Sequence, residues 1–147
     1  MDEYAGIGNE VSEAHALNTL GVCQSKIGDL ISARENCEKA LELHRDHAHG
    51  AGIAESLDTL GYICHSKGEF TDATHFYQEA LQIYEAKGNT YDQADVLDHL
   101  GDSFSASGYV ESARNAWLEA LDLYPLHHRL ADVDRLRQKL SRQASDS

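Results

Sequence analysis

The 147-residue chain predicts an all-α fold, a right-handed α-solenoid of three helical hairpins closed by a C-terminal capping helix. Three observations lead there. A phrase recurs at a forty-residue step: Leu17-x-x-Leu20-Gly21, Leu57-x-x-Leu60-Gly61 and Leu97-x-x-Leu100-Gly101. Each copy is followed at fixed offsets by Gly28, Gly68 or Gly108, then Ala33, Ala73 or Ala113, then Ala40, Ala80 or Ala120. Within each period apolar residues are spaced by three and four, as in amphipathic helices. Self-similarity at a fixed period of twenty to fifty residues marks a repeat architecture.

The elements follow in order. Helix A is expected over 10–26, 50–66 and 90–106, and helix B over 30–46, 70–86 and 110–124. A glycine inside a helix costs about 1 kcal/mol relative to alanine. Gly21, Gly61 and Gly101 accept that cost at one phase, which implies close approach of helix B, with the paired alanines as its small surface. Gly28, Gly68 and Gly108 mark the turn between A and B, where a left-handed backbone suits glycine. Leu17, Leu57 and Leu97, with Leu20, Leu60 and Leu100, are expected to form the seam of the A helices. Cys37, Tyr77 and Trp117 share one position of the B helices, and Trp117→Ala should cost about 3–5 kcal/mol if the ring is buried.

The ends are read by the same phase. Gly88 can end a helix B, and Thr90-x-x-Gln93 reads as a capping box opening the next helix. Gly8-Asn9 stands eighty residues before Gly88-Asn89, so residues 1–8 read as the end of a preceding repeat. The chain is then expected to be cut from a longer array, with Met1 an artificial start. The three repeats fall at about 9–48, 49–88 and 89–127. A capping helix is expected over 128–143, carrying Leu136 and Leu140 on one face, and residues 144–147 are expected to be a disordered tail.

Composition narrows the function classes. The net charge is −13, from 25 Asp and Glu against 12 Lys and Arg. Nucleic-acid and anionic-membrane binding need a basic face, so neither is expected. No apolar run reaches the ~18 residues of a membrane span, and no secretion signal opens the chain. Three cysteines, Cys23, Cys37 and Cys64, lack metal-site spacing, which points away from a disulfide framework and toward the cytoplasm. Cys37 and Cys64 read as core filling.

Chemistry has few places to reside. His44, His47 and His49 cluster at the first junction, and Asp95, Asp98, His99 and Asp102 share a face of the third helix A. Either set could hold a divalent cation, but a solvated polar surface is the favoured reading of both. No nucleophile elbow or phosphate loop occurs. No catalytic residue, metal or cofactor is therefore expected.

The order Leu-x-x-Leu-Gly, Ala, aromatic, Ala, and then Pro125 resembles the tetratricopeptide repeat over about residues 9–125. Leu17, Leu57 and Leu97 replace the aromatic residue common early in that motif, and the forty-residue step exceeds the usual thirty-four. The resemblance implies a concave binding face from exposed positions of helix A. Carried over, these are His15, Asn18, Val22 and Ser25, then Glu55, Asp58, Tyr62 and His65, then Asp95, Asp98, Asp102 and Ser105. Five of them are acids and none is Lys or Arg. Chaperone-binding members of the family grip a peptide carboxylate with basic residues on this face, so such a clamp is disfavoured here. A basic or amphipathic protein segment is the implied partner, with Tyr62 as anchor. Solubility alone accounts for the acids equally well.

A narrower resemblance rests on longer phrases, such as Ser56-Leu57-Asp58-Thr59-Leu60-Gly61-Tyr62 and Ala113-Arg114-Asn115-Ala116-Trp117-Leu118-Glu119-Ala120-Leu121. These look like the C-terminal repeats of actinobacterial regulators of the Streptomyces antibiotic regulatory protein type. It implies a sensor or regulatory arm of a transcription regulator, whose other domains would be partners. A free-standing adaptor or co-chaperone is the first alternative. An enzyme using a metal on the acidic third repeat is the remote one. Pairing of array ends into a homodimer stays open.

Overall fold

The computed structural model describes residues 3–146, with side chains from residue 9 to residue 145. The helices are α1 (Glu3–Lys26), α2 (Leu30–Asp46), α3 (Gly50–Ser66), α4 (Phe70–Ala86), α5 (Thr90–Ala106), α6 (Val110–Leu123) and α7 (Leu130–Asp146). A 3-10 turn, Tyr124–His127, joins α6 to α7. α1 pairs with α2, α3 with α4 and α5 with α6, while α2 packs on α3 and α4 on α5. Each hairpin therefore touches mainly its neighbours in sequence, the contact pattern of a solenoid.

The repeated glycines act as expected, but the side chain that they admit is more specific than a pair of alanines. A Cβ on Gly61 would lie 2.7 Å from the Tyr77 ring. A Cβ on Gly21 would strike Cys37 Sγ, and one on Gly101 would strike the Trp117 indole. Each glycine is thus a socket for the residue sixteen positions later. The B-helix alanines Ala33, Ala40, Ala73, Ala80, Ala113 and Ala120 are all fully buried beside these sockets. A fourth socket was not legible in the repeat: a Cβ on Gly52 would strike the His44 ring across the α2–α3 junction.

Turns follow the expected chemistry at Gly28, Gly68 and Gly108, whose φ values are +89°, +79° and +87°. Gly88, at φ +67°, closes α4 in the same left-handed region. Ala48, at the equivalent place after α2, has φ 49° without glycine's freedom. An L-residue in that region carries a steric cost of about 1–2 kcal/mol.

Two apolar cores run along the stack. One joins α2 to α5 around Leu57, Leu60, Ile63, Tyr77 and Tyr84. The other joins α5, α6 and α7 around Leu97, Trp117, Tyr124, Val133 and Leu136. Leu140 packs against its margin.

Four expectations need correction. Leu20 is 48% exposed, whereas its counterparts Leu60 and Leu100 are buried at 1% and 4%. The same residue in the same phase differs because α3 and α5 each have a preceding hairpin to cover them, and α1 has none among the described residues. The junction expected at Gly8-Asn9 is helical instead, since α1 runs unbroken from Glu3 to Lys26. A Gly-Asn pair breaks a helix only where tertiary contacts favour a turn over one further turn of helix. The cap of α5 is Asn89 rather than Thr90: its side chain accepts from the Asp92 amide. Thr90 already belongs to the helix, and its Oγ1 lies 2.8 Å from His127 Nε2. Finally, α7 continues to Asp146, so residues 144–146 are helical. Met1, Asp2 and Ser147 lie outside the described residues.

Candidate functional site

Helices α1, α3, α5 and α7 are the successive A-type elements of the stack, and side chains about forty residues apart meet between them. His15 Nδ1 lies 3.8 Å from Glu55 Oε2, His99 Nδ1 lies 3.6 Å from Asp58 Oδ1, and Lys139 Nζ lies 3.0 Å from Asp98 Oδ1. The last two pairs are separated by the same forty-one residues. Helix α7 thus takes the place of a fourth helix A, and brings cations where the earlier repeats carry acids.

Those cations change the reading of the third repeat. Arg129 grips Asp95 with both terminal guanidinium nitrogens, at 2.8 and 2.9 Å. Its guanidinium also lies 4.7 Å from the Tyr91 and Tyr124 ring centroids. Asp98 accepts from Tyr124 Oη at 2.8 Å, from Lys139, and from both terminal nitrogens of Arg135. Lys139 also reaches Asp102 at 2.7 Å. Asp98 is 2% exposed. Burial pushes its pKa up, but the hydrogen bonds and charges of Arg135, Lys139 and Tyr124 outweigh burial and hold it below the ordinary value. Asp95, Asp98 and Asp102 therefore hold the cap, and Asp98 cannot meet an external partner while α7 stays in place.

Two cavities open along the stack, the smaller of them nearer the N-terminus. A cavity of about 270 Å³ is lined by Val22, Ser25 and Lys26 of α1, Asp58, Thr59 and Tyr62 of α3, and His99 of α5. Four of its residues, Val22, Ser25, Asp58 and Tyr62, belong to the face expected from the repeat. Tyr62 is 40% exposed. Burial opposes the charge of His99, but Asp58, Asp98 and Asp102 outweigh it and raise its pKa. A second cavity, about 570 Å³, lies where α3, α5 and α6 meet α7, with His65, Asp102 and Ser105 beside Lys139, Arg142 and Trp117. His65 Nδ1 lies 2.9 Å from Ser103 Oγ, and burial lowers its pKa. Asn18 is buried and faces Cys37 Sγ at 3.7 Å, so it belongs to the packing.

Sequence reasoning missed Lys26 and His99 in the first cavity, and Arg129, Arg135, Lys139 and Arg142 beside the acids. The signal was partly there: Arg135, Lys139 and Arg142 recur at four and three, beside Val133, Leu136 and Leu140.

At the first junction the histidines group differently from their order in sequence. His47 turns to Glu10. His15, from α1, joins His44 and His49 instead, with ring centroids 5.0 to 5.2 Å apart. His44 is fully buried, and its Nε2 has no hydrogen-bond partner. Burial, reinforced by the neighbouring rings of His15, His49 and His47, lowers its pKa to about 4.

Stacked hairpins with cavities along their A-helix face define a class, the α-solenoid protein-interaction scaffold. A family profile described as tetratricopeptide repeat matches residues 12–86 and 53–126. The chain belongs to that family. No curated protein matches the sequence. Among solved structures, aspartyl phosphate phosphatase F from Bacillus subtilis superposes with a TM-score of 0.80 at 13% identity, over 92% of this chain and 38% of that one. BtubC (BKLC) from P. vanneervenii gives 0.78 at 19% identity, over 97% of this chain and 64% of that one. Both likenesses are of fold, and in both cases the chain spans less than two thirds of the other protein. Among the described residues no helix is long and apolar enough to cross a membrane.

Proposed function

We propose that the chain binds a basic, amphipathic protein segment on the face of α1 and α3, with Asp58 and Glu55 as charge partners and Tyr62 as apolar anchor. The observation that carries this reading is the cavity built by three successive A helices around the half-exposed Tyr62 ring. An exposed aromatic beside a partly solvated carboxylate supplies apolar area and charge selection together. Helix α7 supports the choice of partner, because its basic and apolar faces complement the next stretch of the same surface. The face is thereby divided: the acids of repeat three serve the cap, and Glu55, Asp58 and Tyr62 of repeat two remain for a ligand.

The longer phrase resemblance supports a second, wider statement, that the scaffold serves as the regulatory arm of a cytoplasmic transcription regulator whose other domains are its partners. A free-standing adaptor would use the same groove. The remote enzyme alternative loses its main support, since Arg129, Arg135 and Lys139 occupy the carboxylates that a catalytic cation would need.

Fluorescence anisotropy with a labelled arginine–leucine amphipathic peptide tests the groove. Asp58→Lys and Tyr62→Ala should each weaken binding about tenfold, roughly 1.4 kcal/mol, and added salt should weaken it further. A glutamate–leucine peptide should not bind. Unchanged affinity in Asp58→Lys refutes the assignment.

A further inference from the structure

The histidine cluster at the first junction lies outside the cavity around Tyr62 and touches the proposed binding face only through His15 and Glu55. Three elements supply it: α1 gives His15, the last turn of α2 gives His44, and His49 precedes α3. One ligand-capable atom from each residue lies within 4.8 Å of the others. The Nδ1 atoms of His44 and His49 are 3.1 Å apart. Two nitrogens bound to one tetrahedral zinc at 2.0–2.1 Å stand about 3.3 Å apart, so this pair already has the required spacing. His15 is half-exposed, which leaves its ring free to swing the remaining distance.

The buried ring is the second observation. His44 is fully covered; its Nδ1 meets His49 Nδ1, and its Nε2 finds no partner. Gly52 has no side chain at the point where a Cβ would collide with that ring. Space is therefore kept for a histidine with one nitrogen paired and one not, although an unsatisfied buried polar group destabilises a fold. A metal–nitrogen bond at Nδ1 would contribute stability to the buried ring, leaving Nε2 as it is. Beside the cluster, Glu55 Oε2 lies 3.8 Å from His15 Nδ1, close enough to supply an oxygen to the same ion.

We infer that His15, His44 and His49 form a binding site for a divalent transition metal of the zinc class, with Glu55 or water completing four-coordination. Three neutral imidazoles suit zinc over magnesium or calcium, which prefer oxygen ligands. The ion would tie α1 to the α2–α3 junction, and so hold the first hairpin to the second. His47, held by Glu10, stays outside the set.

The test uses the whole chain, freed of metal, titrated calorimetrically with Zn²⁺ alone, with Co²⁺ absorption as a reporter of coordination. Expected are one equivalent of tightly bound Zn²⁺, a tetrahedral Co²⁺ spectrum, and a rise in Tm of ~5–10 °C at a hundredfold excess over Kd. His49→Gln and His15→Gln should each raise Kd at least tenfold, and neither removes a fully buried ring. His75→Gln, on the exposed surface of α4, should change nothing. Gly52→Ala, which displaces the His44 ring, should weaken binding while helical content is retained. The inference is overturned by absence of binding at 100 µM Zn²⁺, by a weakly absorbing octahedral Co²⁺ spectrum, or by binding that survives both His49→Gln and His15→Gln.

Discussion

Replacing Asp98 by Asn should release the capping helix before it disturbs the hairpins. The carboxylate is 2% exposed and accepts from Tyr124, Arg135 and Lys139. Removing one partner of a buried charge pair costs about 3–5 kcal/mol. The side chains of Arg135 and Lys139 are 43% and 23% exposed and regain water when Asp98 is neutral, so their share is discounted. Asn also keeps an acceptor for the Tyr124 hydroxyl. A loss of about 2–3 kcal/mol follows, or a fall in Tm of ~6–9 °C for a chain of this size. Hydrogen exchange of the α7 amides, compared with those of α3, is the direct assay, because repeat arrays open locally. Acid should act in the same way. The folded pKa of Asp98 lies below its ordinary value. Its contribution is therefore complete above the unfolded pKa, about 3.9, and is lost as pH falls through the lower folded value. Wild-type α7 should lose protection below about pH 4, and Asp98→Asn should show less of that acid step. If Asp98→Asn leaves α7 protection unchanged, or lowers protection equally in all seven helices, the assignment of Asp98 to the cap is wrong.

Gly101→Ala should cost about 1–3 kcal/mol by overpacking, because its Cβ would strike the Trp117 indole; pairing it with Trp117→Ala in a double-mutant cycle should recover part of that loss in urea denaturation. Ala48→Gly should stabilise the chain by about 1 kcal/mol, since it relieves a left-handed φ of 49°; a lower urea midpoint would contradict this. Cys23 is exposed while Cys37 and Cys64 are buried. Burial pushes the Cys37 thiol up to about 12 and raises that of Cys64. A thiol reagent should therefore label Cys23 first, by a factor on the order of a hundred, and equal rates would mean that the Gly21–Cys37 socket and the α2–α3 packing around Cys64 open readily.

The helices of the three hairpins were legible to within a residue or so, apart from the start of α1, because local spacing and glycine turns report local structure. The ends were less so. Gly8-Asn9 matches Gly88-Asn89 as a phrase, yet only the latter ends a helix, since a turn forms where a hairpin partner packs on both sides of it. Leu20 repeats Leu60, but burial depends on the neighbouring hairpin rather than on the residue. The acids of the third repeat were visible as a face; their service to Arg129, Arg135 and Lys139 required knowing where α7 returns.

The sequence by itself determined the all-α repeat, its forty-residue step, the close helix approach at Gly21, Gly61 and Gly101, and the acidic character of the A-helix face. These are encoded by residues close in sequence, or repeated in phase, so a linear reading reaches them. Tertiary structure alone decided which acids remain open, and that His15 rather than His47 meets His44 and His49. Both depend on how one hairpin rotates against the next. That rotation is set by the summed packing of side chains across the interface, and no single phrase of the chain records it.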